Sequence, residues 1–86
     1  MIFCFNFNYK LTKKQSKLIE SNIKNYCDKI GCKEFNFCIS YVRGENYFLD
    51  LELINIEESE EINVDIVNLI NFYLSEFEQN NDKKIF

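Results

Sequence analysis

Four groups of residues in this chain are able to do chemistry, and their spacing narrows what each can do. Cys4, Cys27, Cys32 and Cys38 are separated by 22, 4 and 5 residues. That is not the paired C-x2-C spacing of a zinc site, and the chain has no His to complete one. The same lack of His leaves no ordinary base to raise a thiolate or to build a Ser-His-Asp arrangement. Reduced, partly buried thiols are therefore expected, with a cross-strand contact between Cys4 and Cys38 as the open alternative. In Asp50-Leu51-Glu52 two carboxylates share one face of a strand and are able to share a metal ion, as in a nuclease. The common restriction-type pattern, however, wants Lys two residues after the second acid, where this chain has Ile54. Gly31 and Gly44 are the only glycines, so no glycine-rich phosphate loop exists. The reading is a non-enzyme with no cofactor and no metal.

The other two groups are charged. Residues 1–43 hold eight cations against three carboxylates, whereas residues 44–86 hold two against eleven. The formal net charge of −4 hides that polarity, which bears on association and steering rather than on fold. Lys13, Lys17 and Lys24 lie within about 40° of one another on a helical wheel, a basic stripe suited to nucleic acid. Glu20 and Asp28 interrupt it, and an isoelectric point near 4.8 is low for a nucleic-acid binder, so a solvated helix face is the expected reading. Glu57, Glu58, Glu60 and Glu61 place four carboxylates in five positions, with Asp65 one turn further on. Such crowding is either a solvated loop and helix start or a patch shaped for Lys and Arg on another protein.

The elements that must position these residues are legible from periodicity. Phe3, Phe5, Phe7 and Tyr9 alternate with Cys4, Asn6 and Asn8, which predicts a strand over 2–9. Thr12 is a candidate N-cap for a helix over 13–30, with Ile19, Ile23, Tyr26 and Ile30 on one face and Gly31 at its end. Two more alternating runs, 35–42 and 47–54, flank a Gly- and Asn-containing turn and predict an antiparallel hairpin. A second helix is predicted over 60–78, capped by Ser59, with Glu60 and Glu61 at the positive end of its dipole. Residues 80–86 are expected to fray, although Ile85 and Phe86 are able to dock.

The order β-α-β-β-α predicts a single α+β domain over residues 1–86. It would be a two-layer sandwich with a three-stranded mixed sheet and both helices on one face. That order resembles a ferredoxin-like βαββαβ domain without its last strand, a likeness of element order that implies no function. The opposite face would show Cys4, Asn6, Asn8, Asn36, Cys38, Ser40, Asp50 and Glu52, with Ile2, Val42, Phe48 and Ile54 as an apolar fringe. Such a face is either solvated or a partner or homodimer contact, and an exposed Phe48 would ask for a partner.

At 47% hydrophobic residues with nine Phe and five Tyr, the chain has ample material for a core. It has no Pro, Trp or Ala, and Phe, Ile, Asn, Lys and Tyr supply 46 of its 86 residues, the bias of a low-GC genome. No apolar run is long enough to span a membrane, and the Met1-Ile2-Phe3-Cys4-Phe5 start lacks the marks of a signal peptide. A cytoplasmic location is expected. Together these features point to a small inhibitor that works by binding another protein. The first expectation is a phage or mobile-element protein blocking a bacterial defence nuclease, as anti-CRISPR proteins do. Asp50, Glu52, Glu57, Glu58, Glu60, Glu61 and Asp65 would imitate phosphates, and Phe48, Val64 and Phe72 would anchor the contact. The alternatives are an immunity protein or antitoxin neutralising a basic toxin, and a small nucleic-acid-binding module using the lysines of the first helix.

Overall fold

The computed structural model describes residues 1–42, 44 and 46–83. The elements are β1 (Ile2–Phe7), α1 (Lys13–Ile30), β2 (Glu34–Val42), β3 (Asn46–Ile54) and α2 (Glu60–Lys83), so the chain is an α+β protein of order β-α-β-β-α. The sheet order is β1-β3-β2, and β3 pairs antiparallel with both neighbours. This differs in one respect from the expected mixed sheet. β1 and β2 do run in the same direction, but β3 lies between them, so no parallel ladder forms.

Burial follows the alternation. On one face Phe3, Phe7, Leu49, Leu51 and Leu53 are buried, with Phe35, Phe37 and Ile39 half-buried. Ile19, Ile23 and Cys27 from α1, and Ile66, Ile70, Leu74 and Phe77 from α2, join the same cluster. Two side chains then fasten the helices. The Tyr9 hydroxyl donates to the Leu74 carbonyl, and the Tyr26 hydroxyl donates to Asp65 Oδ2 at 2.8 Å.

The ends of α1 show why it starts and stops where it does. Thr12 Oγ1 accepts from the Gln15 N–H at 3.1 Å, and Gln15 Oε1 accepts in return from the Thr12 N–H at 2.9 Å. This reciprocal pair satisfies two of the amides that a helix start leaves unpaired. At the other end Gly31 adopts φ 77°, a left-handed conformation that is cheap without a Cβ.

α2 runs past its expected end at residue 78 to Lys83. Neither Gly nor Pro interrupts 79–83, and the buried Phe77 anchors the turn before them. The tail expected over 80–86 is thus helical as far as 83, and Ile85 and Phe86 lie outside the described residues. So do Arg43 and Glu45 of the hairpin turn, where the described Gly44 has φ 99°.

Burial lifts the Tyr26 pKa to about 12, and the hydrogen bond to Asp65 and its charge add to the effect. A phenol whose folded pKa is raised contributes stability that is complete below its ordinary value of 10 and is lost as pH climbs through about 12. Burial and then the charge of Glu78 raise Tyr9 to about 12 as well. A phenolate absorbance titration is therefore expected to show two tyrosines ionising only near pH 12. Tyr26→Phe should remove one of them and cost about 0.5–1.5 kcal/mol in denaturant unfolding. A variant as stable as the native chain would show that the helix–helix contact carries no weight.

Candidate protein-binding surface

The sheet order decides where the strand carboxylates stand. Because β3 is central, Asp50 and Glu52 sit mid-sheet on the face opposite the core, in cross-strand rows rather than at an edge. One row is Cys4, Asp50, Cys38, and the next is Ile2, Glu52, Asn36. Asn36 Nδ2 donates to Glu52 Oε1 at 3.3 Å and so orients that carboxylate. Asp50 raises the pKa of the exposed Cys4 thiol, first by a hydrogen-bonding interaction, then with desolvation and the carboxylate charge. A raised pKa makes that thiol a poorer nucleophile.

The same rows exclude the alternative Cys4–Cys38 contact. A whole strand separates the two residues, roughly 10 Å at the usual interstrand spacing, beyond the roughly 7 Å that a disulfide spans. All four cysteines are free: Cys4 and Cys38 are exposed, Cys27 and Cys32 buried. Burial, with the neighbouring Cys32, pushes the Cys27 thiol up to about 12. A thiol reagent should therefore label two cysteines in the folded protein, Cys4 and Cys38, and all four in denaturant. Labelling of Cys27 in the folded state would contradict the buried placement.

The second acidic group is delivered by a turn. Asn55 follows β3 with φ 58°, a left-handed conformation that Asn tolerates better than most residues with a Cβ. Half-buried Ile56 packs against the core, and Ser59 Oγ accepts from the Ile62 N–H at 3.4 Å as α2 begins. Glu57, Glu58, Glu60 and Glu61 are all exposed along this path. Glu60 and Glu61 occupy the first turn of α2, where the helix dipole favours negative charge.

Ile2 joins the two groups. It is 79% exposed and opposes Glu52 in the sheet. A hollow of about 260 Å³ on the sheet face is lined by Ile2, Asn36, Cys38, Asp50, Leu51 and Glu52. A second hollow of about 470 Å³ is lined by Met1, Ile2, Phe3, Glu58, Ser59, Glu60 and Asn63. Ile2 lines both hollows, so acids of the sheet face and acids of the helix start have this one exposed apolar residue as a common neighbour. No Lys or Arg occurs between residues 44 and 82 to offset them locally.

The remaining candidates fall elsewhere. Asp65 hydrogen-bonds Tyr26 on the side of α2 that faces α1, so it has a structural partner away from this junction. Val64 and Phe72 are exposed on α2, and Phe48 is half-buried on the sheet face between Asn6 and Ser40. In the sequence Ile2 reads only as part of an apolar fringe. Its parity on the first strand was the available signal, but its place beside Glu58 and Glu60 depends on the fold. Lys13, Lys17 and Lys24 are exposed on α1 with Glu20 and Asp28, also exposed. Among the described residues no group of three or more Cys, Asp or Glu is placed to hold a metal ion, and no helix is long and apolar enough to cross a membrane.

No protein-family model, curated protein or solved structure matched the chain.

Proposed function

We propose that this chain is a non-enzymatic binding protein whose acidic junction occupies a Lys/Arg-rich surface of another protein. The carboxylates of Asp50, Glu52, Glu57, Glu58, Glu60 and Glu61 would take the part of nucleic-acid phosphates, and a nuclease with such a channel is the partner of first choice. The chain would then be a phage or mobile-element inhibitor acting in the host cytoplasm. The observation that carries this reading is the exposed Ile2, bordered by Asp50 and Glu52 on one side and by Glu58 and Glu60 on the other. An exposed apolar residue with carboxylates in the hollows on either side suits an interface, in which charge sets the encounter rate and specificity while the buried apolar anchor holds the complex.

The test is capture from a bacterial lysate on the immobilised native chain, on a variant with Glu57, Glu58, Glu60 and Glu61 changed to Lys, and on a variant with Lys13, Lys17 and Lys24 changed to Ala. The expected result is a basic protein retained by the native chain and the Lys-to-Ala variant but not by the reversed one, with its nuclease activity falling on addition of the native chain. A basic toxin in its place would give the same charge physics to an immunity protein. Nucleic acid held by the native chain and lost with the three lysines would overturn the reading.

A further inference from the structure

β1 is an edge strand, and the pairing shows which of its backbone groups are free. Met1 N and O both bond Leu53 of β3, at 3.0 and 2.8 Å, which makes Met1–Leu53 a mutually hydrogen-bonded pair. Such pairs alternate along an antiparallel ladder, so Phe3, Phe5 and Phe7 also face β3 with their N–H and C=O groups. Ile2, Cys4 and Asn6 turn theirs outward, away from β3. Among the described residues no strand lies on that side, and β1 carries neither a Lys nor a Pro of the kind that blocks an edge.

The space beside this edge is also open. The hollow of about 470 Å³ lies between the start of β1 and Glu58, Ser59, Glu60 and Asn63 of the α2 approach. A further hollow of about 570 Å³ lies between Asn6, Phe7, Asn8 and Tyr9, with Asn46 at the start of β3, and the second half of α2, at Asn71, Leu74, Ser75 and Glu78. The two mark the seam between β1 and α2 at opposite ends of the strand, and neither draws a residue from β2, the other edge. Acids stand at both ends: Glu58 and Glu60 at one, Glu78 at the other.

We propose that β1 accepts an extended segment of the partner protein as a fourth strand, with cationic side chains of that segment reaching the acids at the two ends of the seam. The N–H and C=O groups of Ile2, Cys4 and Asn6 supply the pairing, as in other complexes where a peptide adds to a sheet edge. From residue 2 to residue 8 the edge spans roughly 20 Å, so the two cations stand about six residues apart on the added strand. A second copy of this chain fits less well. Antiparallel β1–β1 pairing about a two-fold axis would bring the Glu58 and Glu60 end of one α2 seam against the Glu78 end of the other, acid against acid. The sign of the occupant's charge rests on the acidic reading proposed above, whereas the strand geometry does not.

The probe is a capped peptide, Lys-Thr-Val-Thr-Val-Thr-Lys, with a Glu-flanked version as its control. Amide hydrogen exchange of the native protein, followed residue by residue by NMR, is expected to slow at Ile2, Cys4 and Asn6 at saturating Lys-flanked peptide and to stay fast with the control. Asn6→Pro removes one outward N–H without touching the β3 ladder, and should weaken binding at least about fivefold relative to Asn6→Ala, which keeps that N–H. The exchange result stands on the native chain even if the Pro variant folds poorly. Unchanged exchange at the three amides, or equal binding by a folded Asn6→Pro variant, overturns strand addition. If resonances of Glu58 and Glu60 still shift in that case, the acidic reading survives alone. Equal binding of the two peptides defeats the acidic reading and the charge assigned to the occupant. Protection that rises with protein concentration in the absence of peptide makes a second copy the occupant and also overturns the proposal.

Discussion

Leu51→Ala is expected to lower the unfolding free energy by about 2–5 kcal/mol, a large part of the roughly 5–15 kcal/mol that holds a domain together. Leu51 is 1% exposed in the central strand, flanked across the ladders by Phe3 and Phe37. Truncation there removes buried apolar area from the core cluster and leaves a cavity that its tightly packed members cannot fully close. Each kcal/mol should move the thermal midpoint by roughly 4–8 °C in a domain of this size. Val64→Ala makes the contrast, because the exposed Val64 on α2 has little packing to lose and should cost no more than about 0.5 kcal/mol. Equal costs for the two variants would mean that β3 is not the centre of the core.

The second large effect is on binding. Changing Glu57, Glu58, Glu60 and Glu61 to Lys adds two units of charge at each position and turns a formal net charge of −4 into +4. Binding of a basic partner should be abolished, with association at low salt slowing by at least about tenfold before the affinity itself falls out of range. Lys at the first turn of α2 also opposes the helix dipole, at about 0.3–1 kcal/mol per residue. The corresponding Gln variant separates the two contributions, since it removes the charge without adding its opposite. It should fold like the native chain, bind with intermediate strength, and lose most of the salt dependence of association. Salt-independent binding by the native chain would remove the electrostatic account.

The contrast between Leu51 and the acids also shows what the sequence reveals. The strands, the helices and their order were legible because each strand alternates with period 2 and each helix carries one apolar stripe. The sheet order was not. The Gly44 turn makes β2 and β3 neighbours, but nothing local says which edge of that hairpin β1 joins. Phe3, Phe5 and Phe7 offer an apolar face that suits either. The nearly complete burial of Leu49, Leu51 and Leu53, against half-buried Phe35, Phe37 and Ile39, marks β3 as central only once the strands are packed.

The candidate site divides in the same way. Its carboxylates were visible as a cluster in the sequence, but their meeting around Ile2 depends on β1 pairing with β3, which sets Ile2 opposite Glu52. Asp65 is near them in sequence, but its position on the helix turns it toward Tyr26 instead. The alternative Cys4–Cys38 contact falls for the same reason as a parallel ladder between β1 and β2, since both need β1 beside β2.

Hydrogen–deuterium exchange on the complex with the captured partner tests the acidic junction most directly. Exchange is expected to slow over residues 1–6 and 57–63, at the β1 edge and the start of α2, and to change little along α1. Slowed exchange confined to residues 13–24, with 57–63 unaffected, would place the partner on the basic stripe and contradict it.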